Sequence, residues 1–195
     1  MTKQKNDFDK LKLNREYAID YGIDFKNRIL RITGYIGNAP DLGSYFTFDM
    51  LDFALNELEK EGADNITIKI NSGGGEIYEA LAMIGRMKSS PCNIVTEAYG
   101  HCMSAATLLL MAGDTRKLSK YCVTMYHEMG YGVSGQHEDV KEQVEQGERE
   151  MKQLASYYED FSNKKARFWL TKMKKKEFYP TPTQMLEYGA IDEII

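Results

Sequence analysis

Apolar positions along this chain change their spacing several times, and each change marks a new element. Arg28 to Thr33 carries the run Ile-Leu-Arg-Ile and reads as a strand. Asp41 to Tyr45 reads as a loop. Met50, Leu51, Ala54, Leu55 and Leu58 then recur three and four apart, which predicts a helix with one buried face that stops near Gly62. Ile66, Ile68 and Ile70 alternate with polar residues as in a strand and lead into the cluster Gly73-Gly74-Gly75, whose commonest meaning is a tight turn. A second helical stripe follows at Ile77, Ala80, Leu81, Ile84 and Met87. Asn93 to Ala98 predicts another strand. The run Ala105 to Ala112 is apolar on every side, the mark of a fully buried helix, and Gly113 is placed to cap it.

Cys122 to Tyr126 reads as a strand ending at His127, and Gly130 to Gly135 as a glycine-rich loop. From about 137 to 170 the pattern predicts one long helix, with Val140, Val144, Met151, Leu154, Tyr158 and Phe161 on one side. A helix of that length exceeds what one domain of this size can cover. Part of its stripe is therefore expected to pack on another subunit. A short helix after Pro180 and a final segment from Tyr188 to Ile195 close the chain. Strands alternating with helices predict an α/β domain with parallel strands. The polar residues 1–15 are expected to be a flexible segment ahead of a single domain at 16–195.

Composition narrows the setting. Of 195 residues 43% are apolar and 28% charged, as in an ordinary globular protein with a sizeable core. A net charge of −4 gives no reason to expect nucleic acid or an anionic membrane as partner. The first ten residues lack the apolar core of a signal peptide, and no run is long enough for a membrane span. Three cysteines, Cys92, Cys102 and Cys122, are an odd number and predict reduced thiols in a cytoplasm.

The chemistry gathers around Ser104. It opens the buried helix, where unpaired backbone N–H groups and the positive end of the helix dipole collect. A hydroxyl beside such donors is placed to attack a carbonyl whose oxygen turns negative. Glycine amides upstream and His127 downstream would complete a serine hydrolase. Each part also has an ordinary reading: Ser104 as an N-cap, the glycines as a turn, His127 as a core histidine. Glu76-Ile77-Tyr78 follows the glycines where a phosphate loop would have Lys-Ser/Thr, which excludes that type of nucleotide site. Cys102 is a rival nucleophile at the same helix start. His101, His127, His137 and the cysteines lack a known metal-ligand spacing, and no metal is expected.

In order and spacing, five motifs resemble the proteolytic subunit of the Clp ATP-dependent protease. They are Asn71-Ser72-Gly73-Gly74-Gly75, Gly100-His101-Cys102-Met103-Ser104, Met125-Tyr126-His127, Gly135-Gln136-His137-Glu138-Asp139 and Glu187-Tyr188-Gly189-Ala190-Ile191-Asp192-Glu193. The resemblance runs from about Tyr17 to Ile195. It implies the Clp-protease/crotonase fold, a spiral of stacked ββα units with a long handle helix at about 137–170. It also implies a serine endopeptidase with Ser104 as nucleophile, His127 as general base and the amides of Gly75 and Ala105 as oxyanion donors. Cys102 takes the place of a small apolar residue of the family and reads as packing.

Two positions depart from the family. The triad aspartate falls on Glu177, whose carboxylate can hold an imidazole as aspartate does; the other reading is a surface charge after a lysine run with the triad incomplete, and Asp114 is the next carboxylate to consider. Where the family often pairs an acid with an arginine, Lys175-Lys176 stands, and lysine cannot reproduce a bidentate arginine contact. The resemblance further implies stacked heptameric rings forming a tetradecamer, peptides and unfolded proteins as substrates, and an AAA+ unfoldase as partner. No cofactor of its own is implied, ATP entering only through that unfoldase. The divergent termini fit a phage, prophage or accessory copy. Two other readings remain open on sequence: a non-catalytic ring subunit, and a crotonase-like acyl-CoA enzyme.

Overall fold

The computed structural model describes residues 22–174 and 176–195. The segment 1–15 and Lys175 lie outside the described residues. Among the described residues eight strands form one sheet: β1 (Ile23–Asp24), β2 (Ile29–Ile36), β3 (Tyr45–Phe46), β4 (Asn65–Gly75), β5 (Asn93–Met103), β6 (Thr115–Leu118), β7 (Val123–Met125) and β8 (Glu193–Ile194). Six helices accompany them: α1 (Phe48–Lys60), α2 (Ile77–Ser89), α3 (Ala105–Met111), α4 (His137–Asp160), α5 (Ala166–Met173) and α6 (Pro182–Glu187). The sheet runs β1-β2-β4-β5-β6-β8, with β3 beside β2 and β7 beside β5. Every pairing is parallel except β1 with β2.

The register explains why the apolar alternation is so regular. Ile32 faces Ile70, Ile70 faces Ala98, and Ala98 faces Leu118, so one buried row crosses four strands. A one-residue slip would turn these side chains out to water, which pins the register. Leu51, Ala54, Leu55 and Leu58 of α1 and Ala80, Met83, Ile84 and Met87 of α2 are buried on the same core. All seven residues of α3 are buried. Arg86 ties α2 to α1 through Asp52 at 2.6 Å and Glu59 at 2.8 Å.

Three expectations are corrected. The glycine cluster is the extended end of β4, where Gly75 pairs with Ile36, and no turn forms there. Tyr45 joins a short strand. The expected single helix over 137–170 is two helices, α4 and α5, broken at Phe161 to Lys165. The break has a physical cause: Trp169 enters the core only if the chain folds back. There it packs against Tyr126, Tyr158 and Tyr188, and its ring N–H donates to Ser162 at 3.1 Å. Glu159 at the end of α4 accepts the Ala166 N–H at 2.7 Å and so starts α5.

The stripe of α4 divides accordingly. Leu154, Ala155 and Tyr158 are buried within the chain, while Val144 is 39% exposed. The amino-terminal half of this helix is the part left for another surface.

Candidate active site

Strand β5 changes partner along its length. Val95 to Ala98 pair with β6, whereas His101 to Met103 pair with β7. Gly100, at φ +63°, lies between the two halves, and a side chain there would meet the Asn71 amide. The second pairing is what assembles the site. Met103 faces Met125, and the Ser104 N–H donates to the Met125 carbonyl at 2.8 Å. His127, two residues beyond Met125, therefore stands beside Ser104. Its Nε2 lies 2.7 Å from Ser104 Oγ. With the ring proton on Nδ1, Nε2 is the acceptor of the hydroxyl proton, the arrangement of a nucleophile and its general base.

Ser104 is not an ordinary N-cap. Its side chain caps no N–H of α3, and its backbone has φ +53° and ψ −128°, a conformation rare for any residue but glycine. Strain of this kind costs about 1–3 kcal/mol and persists only where the surroundings enforce it. Here the Met125 carbonyl holds the Ser104 N–H, and Thr107 donates to the Ser104 carbonyl through its hydroxyl at 2.7 Å.

The glycine strand lies against the nucleophile. A Cβ on Gly74 would stand 2.6 Å from the Met103 carbonyl and 2.7 Å from Ser104 Cβ. Ser72, fully buried, holds this stretch: its hydroxyl donates to the Gly34 carbonyl at 2.6 Å and accepts the Gly74 N–H at 3.0 Å. Gly75, Ser104, Ala105 and His127 all line one cleft of about 550 Å³. The site thus sits at the carboxyl ends of parallel strands, where open α/β sheets bind ligands.

The residue before His127, Tyr126, is completely buried and anchors this end of the chain in the core. The Tyr126 hydroxyl donates toward the sulfurs of Met111 and Met185, each at 3.3 Å, and its ring packs on Tyr158, Trp169 and Phe178. Aromatic pairs contribute about 0.5–1.5 kcal/mol each beyond their burial. Burial pushes the Cys102 thiol well above its ordinary range, with Cys122 adding to the effect. Cys102 therefore stays a protonated core thiol and offers no thiolate to a substrate.

Glu177 reaches the neighbourhood but not the imidazole. Phe178 exchanges two backbone hydrogen bonds with Tyr126, at 2.9 and 2.8 Å, which sets Glu177 near His127. Its carboxylate instead accepts the Tyr179 hydroxyl at 2.6 Å, on the exposed surface. Among the described residues no hydrogen bond joins Glu177 to His127, so the expected third contact is not made in this conformation. Asp114 is at the opposite end of the sheet, accepting the Ile94 N–H at 2.9 Å and pairing with Lys88. Sequence reading missed Ser72, Tyr126 and Tyr179 as supports. The first two lie inside quoted motifs, and only the fold gives them partners.

Known proteins similar to this chain point to one family. A family model described as Clp protease matches residues 49–195. The ATP-dependent Clp protease proteolytic subunit 1 of Corynebacterium jeikeium is 30% identical over 135 residues, covering 67% of this chain and 70% of the relative. Subunit 2 of Corynebacterium diphtheriae is 32% identical over 136 residues, covering 67% and 66%. The proteolytic subunit of Porphyromonas gingivalis is 29% identical over 133 residues, covering 67% and 60%. The chain spans about two thirds of the length of these relatives. It belongs to the Clp protease family and is a peptidase of that family's serine class.

Proposed function

We propose that this chain is an endopeptidase that cuts peptide bonds through an acyl-enzyme on Ser104. The observation that carries the reading is the 2.7 Å contact between Ser104 Oγ and His127 Nε2 in a cleft also lined by Gly75 and Ala105. As the hydroxyl oxygen bonds to the scissile carbonyl carbon, His127 takes its proton. The carbonyl oxygen becomes an oxyanion that the amides of Gly75 and Ala105 are placed to receive. Collapse of this adduct breaks the C–N bond, and His127 returns the proton to the leaving amine. Water, deprotonated by His127, then hydrolyses the Ser104 ester. A crotonase-like acyl-CoA enzyme would need no such Ser–His couple, and a non-catalytic ring subunit would have no use for a strained serine.

The chain works, on this reading, as one subunit of a chamber in the cytoplasm, fed by a partner ATPase. Support comes from the half-exposed apolar stripe at Val140 and Val144, and from relatives named as subunits of an ATP-dependent protease. Three free cysteines, all buried, suit a reducing compartment. The purified chain is expected to cleave a short fluorogenic peptide unaided and to leave a stably folded protein intact, at a solution mass many times its own. A monomer that digests the folded protein without ATP would contradict the reading.

Glu177 fits this mechanism if its carboxylate leaves Tyr179 and turns to the His127 Nδ1–H. Glu177→Gln is then expected to lower kcat by roughly a hundredfold or more, because an amide cannot stabilise imidazolium. Tyr179→Phe, which removes the competing hydroxyl, should preserve or raise kcat. Full activity in Glu177→Gln would show that His127 is oriented without this carboxylate.

A further inference from the structure

We propose that the cleft selects peptides carrying a lysine or arginine beside the bond to be cut. The inference rests on the peptidase reading and adds a substrate class to it. Its first support is Glu76, the residue after Gly75, which lines the cleft with Ser104 and His127. Glu76 occupies the N-cap position of α2, where a carboxylate would ordinarily accept an N–H, yet its side chain caps none. Among the described residues no hydrogen bond or ion pair satisfies this carboxylate. It is exposed, and it stands next to the amide expected to receive the oxyanion.

The second support is a shape. The catalytic cleft itself has apolar walls, Ile77, Met129 and Leu154 among them, with Glu150 beside them. Glu150 accepts from the Tyr78 hydroxyl at 2.7 Å and from the Gln146 amide at 2.8 Å. Those donors are neutral and hold its carboxyl below the usual range, the Gln146 bond most of all. Apolar walls with a carboxylate among them match a side chain with an aliphatic stem and a cationic head.

Glu128 lines the cleft as well, but Lys152 and Lys174 share the adjoining groove with it, so the weight falls on Glu76 and Glu150. No lysine or arginine lines the catalytic cleft among the described residues. A substrate cation there offsets the charge that Glu76 places near the developing oxyanion, whereas a substrate carboxylate adds to it. The discrimination therefore shows in kcat/KM.

The test uses three internally quenched peptides that differ only in two central residues: Lys-Lys, norleucine-norleucine or Glu-Glu, with cleavage sites mapped by mass spectrometry. In low salt the expected order is lysine, norleucine, glutamate, with kcat/KM for the lysine peptide about a hundredfold above the glutamate peptide. Raising NaCl to about 0.5 M should compress that ratio, since the carboxylates are reached by solvent. The double variant Glu76→Gln/Glu150→Gln should bring it below about tenfold. Equal rates for the lysine and glutamate peptides, or an unchanged ratio in the double variant, would overturn the proposal. Affinities of the same peptides for the Ser104→Ala protein, read by fluorescence anisotropy, should follow the same charge order. If the parent protein cleaved no peptide, the peptidase reading would fail, while this binding order would still decide for or against the basic preference.

Discussion

Replacement of Ser104 by alanine is expected to abolish peptide hydrolysis, with a loss on the order of 10⁶-fold if the pair acts as other serine nucleophiles do. The prediction follows from what the hydroxyl does and does not do. It contacts His127 at 2.7 Å and caps no N–H of the helix behind it. Its removal therefore takes away the nucleophile and leaves the folding interactions of the segment in place. The Ser104 N–H to Met125 bond and the Thr107 bond to the Ser104 carbonyl are unaffected, since both use backbone atoms of residue 104. Alanine meets the same backbone strain as serine, so the melting temperature should move by no more than a few degrees. Size-exclusion mass should match that of the parent. A variant that keeps appreciable activity would remove Ser104 from the mechanism.

Replacement of Gly75 by alanine should also cut activity severely, though less than loss of the nucleophile, and for a different reason. A Cβ there would overlap the Ile36 carbonyl oxygen and come within 2.7 Å of the Ile36 nitrogen, both backbone atoms of the neighbouring strand. No rotamer relieves such a clash, so β4 must move away from β2 just where its amide faces the cleft. Loss of one oxyanion donor alone costs about 10²–10³-fold in kcat. The displaced pairing adds a loss of stability of roughly 2–4 kcal/mol, within the range of severe single substitutions. The two effects separate in measurement: the peptidase assay reads the first, and urea unfolding of the same preparation reads the second. Normal kcat in Gly75→Ala would mean that this amide takes no part in catalysis.

How much of this was legible in the sequence differs from element to element. The faces of α1 and α2 and the alternation in β4 and β5 can be read because they bury one side against a shared core, and burial imposes periodicity. The short strands β1, β3 and β8 span two residues each, too few for any period to show. The split between α4 and α5 is invisible to periodicity, since Ser162-Asn163-Lys164-Lys165 contains neither glycine nor proline. It is set by Trp169, whose route into the core is a tertiary fact. At the site, Ser104 and His127 could be paired through motif order. Their contact depends on β5 exchanging β6 for β7 at Gly100, a switch that the sequence marks with a single glycine. Glu177 could be placed by counting but not oriented, because Tyr179, two residues away, competes for the same carboxylate.

The central claim is that Ser104, activated by His127, is the nucleophile. The most direct measurement is mass-spectrometric mapping of the protein after reaction with a fluorophosphonate, in parallel with its His127→Ala variant. The account predicts one adduct, on Ser104, formed as peptidase activity disappears and largely absent when His127 is replaced. An adduct on another residue, or peptidase activity that survives complete labelling of Ser104, would contradict it.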